Sequence, residues 1–172
     1  HAVRDLVEAG VRAIAVCLLW SFRNPTHEQA VNRIILEEAP GMFVSISSEL
    51  APVIREYERS ATTCINAYLA ESVSSYVSNL EAQLRESGLK GPFLIMNSIG
   101  GVLSAREAPN QAVTLLLPAN GGGVIGSLYL AEALGHRNVI TTDMGGTSFD
   151  VGLIVDGRPV ISTTSVVEKY HI

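Results

Sequence analysis

A chain of 172 residues, 47% hydrophobic and only 17% charged, can bury a substantial core as one large domain or as parts of two. Its formal net charge of −5, with no basic stripe, argues against nucleic acid or an anionic membrane surface as a partner. The longest apolar stretch, Ala13 to Trp20, falls well short of the roughly 20 residues that cross a bilayer, so no segment is expected to span one.

Helix and strand signals then alternate. Val3, Leu6 and Val7 share a helical face that Gly10 closes, and Ala13 to Trp20 is a near-continuous apolar run, the pattern of a parallel strand covered on both sides. Cys17 in that run and Cys64 in a helical pattern have no motif spacing between them. They read as two buried thiols rather than a disulfide or a metal pair, which fits a reducing cytoplasm. Asn24-Pro25 opens a helix with Ala30, Val31, Ile34 and Ile35 on its apolar face, Pro40-Gly41 ends it, and Met42 to Ile46 is the next strand. From about Arg55 to Arg85 apolar residues recur every three or four positions, marking one long amphipathic helix. Gly88 and Gly91-Pro92 stop it, and Phe93 to Met96 is expected to be another buried strand. The chain lacks a starting Met and opens inside a helical pattern, as a piece of a longer chain would.

Asn97 to Gln111 is polar and glycine-bearing and is the expected change of domain, giving a first α/β part over 1–110 and a second over 111–172. Val113 to Leu117 is a short apolar run. Gly121-Gly122-Gly123 then opens a helix that Gly135 closes. Val139 to Thr142, Val151 to Val155 and Pro159 to Thr163 follow as three strands with no helix between them, the last two joined by the hairpin signal Asp156-Gly157.

Between the first two of these strands stands Asp143-Met144-Gly145-Gly146-Thr147-Ser148-Phe149-Asp150. Glycines let backbone N–H groups approach an anion, Thr147 adds a hydroxyl donor, and Asp143 or Asp150 can hold Mg²⁺ directly or through water. The octet reads as a phosphate clasp; the competing reading is a hairpin whose Gly-Gly is turn chemistry alone. Gly121-x-Gly123-x-x-Gly126, opening a helix, also matches the dinucleotide fingerprint, with Asp143 at about the expected interval. A dinucleotide fold, however, needs a crossover helix after that second strand, where this chain has a hairpin. The glycines are then packing residues at a helix start, with Gly122 and Gly123 in reach of a phosphate through the helix N-terminus.

The segment Val139 to Val151 resembles the second phosphate loop of the superfamily that unites actin, the sugar kinases and the heat-shock-chaperone ATPases. More narrowly, Ser21-Phe22-Arg23-Asn24-Pro25-Thr26-His27-Glu28, Ser47-Ser48-Glu49, Glu56-Tyr57-Glu58-Arg59, Asn66-Ala67-Tyr68, Asn97-Ser98-Ile99-Gly100-Gly101 and Gly122-Gly123-Val124-Ile125-Gly126 make nearly the whole chain similar to the hydantoinase A and 5-oxoprolinase family. That resemblance implies an α/β fold of the actin-like ATPase, ribonuclease H-like type, with ATP and Mg²⁺ as cofactors and a second subunit or domain of the hydantoinase B type as partner. It also implies a cyclic amide or ketone substrate, activated for hydrolysis or for carboxylation. In that setting Asp143 and Asp150 hold Mg²⁺, while Gly145, Gly146, Thr147 and Ser148 hold phosphate oxygens. A non-catalytic actin-like nucleotide switch shares the clasp and stays open as an alternative. The chain departs from the family at Pro118-Ala119-Asn120-Gly121 and Ile99, and it lacks the family's first phosphate loop and its adenosine loop, so alone it is expected to bind ATP weakly or not at all.

The remaining polar residues carry structural expectations. Glu28, beside His27, should favour a helix dipole from the first turn; Glu56, Glu58 and Arg59 open the long helix; His136 and Arg137 follow a helix end and should be solvated; and Tyr170-His171 should end a strand.

Overall fold

The alternation of small and branched side chains in Ala13-Ile14-Ala15-Val16 decides how the first layers stack. In the computed structural model, which describes residues 1–116, 121–146, 148–161, 166–167 and 170–171, this segment is strand β1, Ala13–Val16. Strand β2, Phe43–Ile46, lies parallel to it in the register Ala13↔Phe43 to Val16↔Ile46. Successive side chains point to opposite faces, so Ile14, Val16, Val44 and Ile46 share one face and Ala13, Ala15, Phe43 and Ser45 the other. Helices α1, Ala2–Glu8, and α2, Thr26–Glu38, cover the first: Val16, Ile35 and Ile46 form a buried cluster against which Val3, Ile14, Val31, Met42 and Val44 pack. Each such aliphatic side chain contributes about 1.5–3 kcal/mol when fully buried. Arg4 also pairs with Glu38 at 2.6 Å, tying α1 to the end of α2.

After the one-turn helix α3, Ser47–Leu50, the second face receives α4, Glu56–Glu86, a helix of 31 residues and so roughly 46 Å long. Ala13 and Ala15 on the strand and Ala67 on the helix line one cavity between the two layers, and α4 packs along both β1 and β2. Both faces of the parallel pair are therefore covered, as the apolar run predicts.

Several expectations change. The strand predicted over Ala13 to Trp20 ends at Val16, because the next residues turn away and are held by side chains of α2 and α4. Of the cysteines, Cys17 is half-buried and Cys64 exposed, so neither is the fully buried thiol expected. The predicted buried strand Phe93 to Met96 is β3, Leu94–Met96, with Leu94 and Met96 exposed; it pairs antiparallel with β4, Val102–Ser104, outside the parallel sheet. The polar segment that follows is packed, not loose. A 3₁₀ turn, Ala108–Gln111, lies on α4 and buries Ala108, and the short helix α5, Val113–Leu116, follows directly.

Helix α6, Gly121–Ala133, and an antiparallel meander complete the described chain: β5, Val139–Met144; β6, Phe149–Val155; β7, Arg158–Pro159. A last hairpin pairs β8, Val166–Val167, with β9, Tyr170–His171, in the strand expected there, and β9 returns to α4. Residues 117–120, Thr147 and residues 162–163, which carried expectations, lie outside the described residues.

Candidate functional site

Strand register fixes the geometry of the clasp. Asp143 stands directly opposite Asp150, Thr141 opposite Gly152 and Val139 opposite Ile154. Facing residues of an antiparallel ladder project to the same side with Cβ atoms about 4.5–5.5 Å apart, so both carboxylates rise from one face. The octet is therefore not all turn: its acidic ends belong to β5 and β6, and only residues 145–148 bridge them. Gly145, Gly146 and Ser148 are exposed. Gly145 N–H donates to Ser148 O at 3.1 Å and the Ser148 hydroxyl lies 3.1 Å from Asp150 Oδ2, so Ser148 is engaged within the loop. Thr147, which should complete the set of donors, lies outside the described residues.

Neither Gly145 nor Gly146 adopts a left-handed φ, and a Cβ on Gly146 would meet nothing within 4 Å. Glycine is thus demanded here neither by a left-handed φ nor by crowding against the described residues. What the missing side chains leave is open room on the exposed side of the loop.

The same face of the meander carries α6. Gly152 makes this possible, since a Cβ there would lie 2.4 Å from Val124 Cγ2, and Ile154 is buried beneath the helix. The end of α6 leads into β5, and Gly157 N–H donates to Arg137 O, which places that end of the helix beside the β6–β7 turn. Its start therefore lies toward Asp143 and Asp150, the end to which Gly122 and Gly123 belong.

That start is wedged against the turn at residues 97–101. A Cβ on Gly121 would lie 2.4 Å from Ser98 O and 2.5 Å from Gly100 N, while one on Gly122 would lie 3.0 Å from Met96 Sδ. Asn97 Oδ1 shapes the turn by accepting from the N–H groups of Ile99 at 3.2 Å and Gly101 at 2.8 Å. Gly126, the third position of the dinucleotide-like spacing, meets nothing within 4 Å, whereas that fingerprint uses its last glycine for close helix–strand packing. Together with the antiparallel pairing of β5 and β6, this leaves the dinucleotide reading without structural support.

Two acidic oxygen donors on one face suit a hard cation completed by phosphate oxygens and water, the usual company of Mg²⁺. No group of three or more His, Cys, Asp or Glu able to hold a metal occurs among the described residues, so the pair would need such additional ligands. The residues fit a Mg²⁺–polyphosphate.

Sequence reasoning missed a second polar cluster. Glu28, in the first turn of α2 as expected, is also fully buried: Oε1 accepts from Leu18 N–H at 2.7 Å and from the Ser47 hydroxyl at 2.6 Å, and Oε2 accepts from Ser48 N–H at 2.7 Å. Burial pushes its carboxyl up, but the bonds from Ser47, Leu18 and Ser48 outweigh that and hold it below the ordinary carboxylate value. Arg59, also buried, holds the carbonyl of the same residue, with Nη2 donating to Leu18 O at 2.8 Å. One signal was available. Arg59 is a cation in a helix's first turn, where the dipole disfavours it, so something else must hold it.

Comparison with known proteins places this architecture. The hydantoinase/oxoprolinase profile matches residues 59–172, and the profile for that family's N-terminal region matches residues 1–39. The fold is mixed α/β, of the hydantoinase and actin-like ATPase kind, and the chain belongs to the hydantoinase/oxoprolinase family. It is 36% identical to caprolactamase subunit alpha of Pseudomonas jessenii over 100% of this chain and 25% of that one. It is 38% identical to acetophenone carboxylase gamma subunit of Aromatoleum aromaticum over 92% of this chain and 23% of that one. Nucleotide-free acetone carboxylase, solved in a study of ATP-dependent acetone carboxylation, superimposes with a TM-score of 0.75 at 36% identity, covering 99% of this chain and 24% of that one. The chain thus spans about a quarter of the length of these relatives, two of which are named as subunits.

Proposed function

We propose that the chain is the phosphate-gripping part of an enzyme that uses ATP to activate a cyclic amide for ring-opening hydrolysis. The observation that carries this reading is the Asp143–Asp150 pair, raised on one face beside two glycines that neither φ nor internal packing requires. Bound ATP would supply the phosphoryl group that activates an amide or carboxylate oxygen. Asp143 and Asp150 would hold Mg²⁺ directly or through water, and the amides of Gly145, Gly146 and Thr147 with the Thr147 hydroxyl would hold phosphate oxygens. Gly122 and Gly123 would add the N-terminal field of α6. Ser148, already bonded to Asp150, would orient that carboxylate. Positioning and charge neutralisation would thus be this segment's contribution to catalysis.

Residues 1–110 would form the end of one domain and residues 111–172 the linking helix and first meander of the next, with a hydantoinase B-type chain or domain as partner. Two cysteines that form no disulfide support a cytoplasmic setting. A ketone-carboxylase subunit is the second reading, favoured by the likeness to acetophenone and acetone carboxylases. Both readings use the clasp in the same way. In the full-length protein, ATP hydrolysis should depend on the presence of substrate, and Asp143→Asn should abolish it while far-UV circular dichroism stays unchanged. Undiminished turnover in that variant would defeat the assignment.

A further inference from the structure

Arg59 lies in the first turn of α4 and is fully buried. One of its donors, Nη2, reaches Leu18 O at 2.8 Å, and its Cζ sits 5.6 Å from the centroid of the Phe22 ring. Neither Nε nor Nη1 finds an acceptor among the described residues, and Arg59 makes no ion pair with any of them. A guanidinium stays protonated at any working pH and cannot escape the cost of burial by losing its charge. Glu28, which holds the Leu18 N–H, already accepts three hydrogen bonds. Ser48, whose N–H serves Glu28, has a buried hydroxyl oxygen that is likewise without a partner among the described residues.

Leu18 and Phe22 both touch the guanidinium, and the residues between them form a short strap. Its ends are pinned, Leu18 by Glu28 and Arg59, and Ser21 by a 3.1 Å bond between its hydroxyl and that of Ser47. Its tip is not. Leu19 is 77% and Trp20 67% exposed, Trp20 takes a left-handed φ of 60°, and its ring stacks on Phe22 at 5.4 Å. A non-glycine residue held in that backbone region is strained, and such strain collects at ligand clamps and switching segments.

We propose that Arg59 is the receiving group of a binding site for a small organic monocarboxylate, which enters beneath the Leu19-Trp20 tip and takes the donors Nε and Nη1. A planar guanidinium matches a carboxylate, and its charge-assisted bonds are the strong ones. The aromatic and aliphatic strap suits an organic body, and Glu28 nearby disfavours a dianion such as phosphate. The site rests on this buried network alone and does not depend on the clasp.

Trp20 is the chain's single tryptophan, so its emission reports on the strap. The 172-residue chain is titrated with acetate and with isobutyrate, and separately with phosphate and chloride at the same ionic strength. The two carboxylates should give a saturable change, while phosphate and chloride give none. Arg59→Lys, which keeps the charge but loses the planar fork, should weaken carboxylate binding at least about tenfold while circular dichroism shows a native fold. Arg59→Gln should abolish it, and Arg59→Lys answers alone if Arg59→Gln fails to fold. No saturable change in the unaltered chain, a response to phosphate alone, or undiminished affinity in a folded Arg59 variant would overturn the proposal.

Discussion

Glu28 carries its charge in a place closed to water because Leu18, Ser47 and Ser48 supply the donors that solvent would otherwise supply. A glutamate held below its ordinary value in the fold contributes stability that is fully present above the unfolded value, about 4.3, and is lost as the pH falls through the lower folded one. Urea midpoints measured between pH 3 and 7 should therefore fall below about pH 4.3, and Glu28→Gln should flatten that fall while lowering stability at neutral pH. An unchanged acid limb in the variant would contradict this role. Gly121→Ala should also destabilise, by about 1–3 kcal/mol, because the new methyl meets the backbone atoms Ser98 O and Gly100 N rather than a yielding side chain. Thermal melting checks it; an unshifted midpoint would mean that the helix start is not wedged. At this scale the sequence was partly legible. The acidic and glycine residues of the clasp stood out because chain-local spacing carries their meaning. The Glu28–Arg59 network did not, because its members are 31 positions apart and are joined through the backbone N–H and carbonyl of Leu18.

Among the elements, α4 connects most of the others. Asn66, fully buried on it, donates from Nδ2 to Ser45 Oγ at 2.9 Å and to Asn110 O at 3.1 Å, and Oδ1 accepts from Val113 N–H at 3.0 Å. One side chain thus links β2, the 3₁₀ turn and α5. Asn66→Ala should leave these buried groups unsatisfied at about 1–3 kcal/mol each, and the amide of Val113 should lose most of its hydrogen-exchange protection. Retained protection would show that packing alone holds α5 in place. Helix α4 itself was readable from its period, within a residue or two at each end. Strand β3 was readable as a strand but not as a hairpin, since a three-residue apolar run states its local conformation without naming its partner. The hydrogen bonds that end β1 at Val16 come from α2 and α4, far from it in sequence.

For the whole molecule, the parallel pair covered on both faces and the meander beside α6 follow from hydrophobic patterning, whereas β4, the 3₁₀ turn and α5 between them were not foreseen. What patterning could not supply was the joint. Contact between α6 and the turn at residues 97–101 depends on two glycines whose importance lies in what they do not occupy. The other face of the meander presents Ile140, Met144, Phe149, Val151 and Leu153, all exposed, in a chain that spans about a quarter of its relatives' length. On the proposed reading the 172-residue chain alone should bind Mg²⁺–ATP weakly or not at all, and the full-length protein should bind it well. Calorimetric titration of Mg²⁺–ATP into the full-length protein and its Asp143→Asn and Asp150→Asn variants tests this most directly. Both variants should keep the native melting temperature and lose roughly 100-fold or more in affinity, in line with the loss of charge-assisted metal and phosphate contacts. Equal affinity in all three proteins would show that the clasp does not hold the nucleotide.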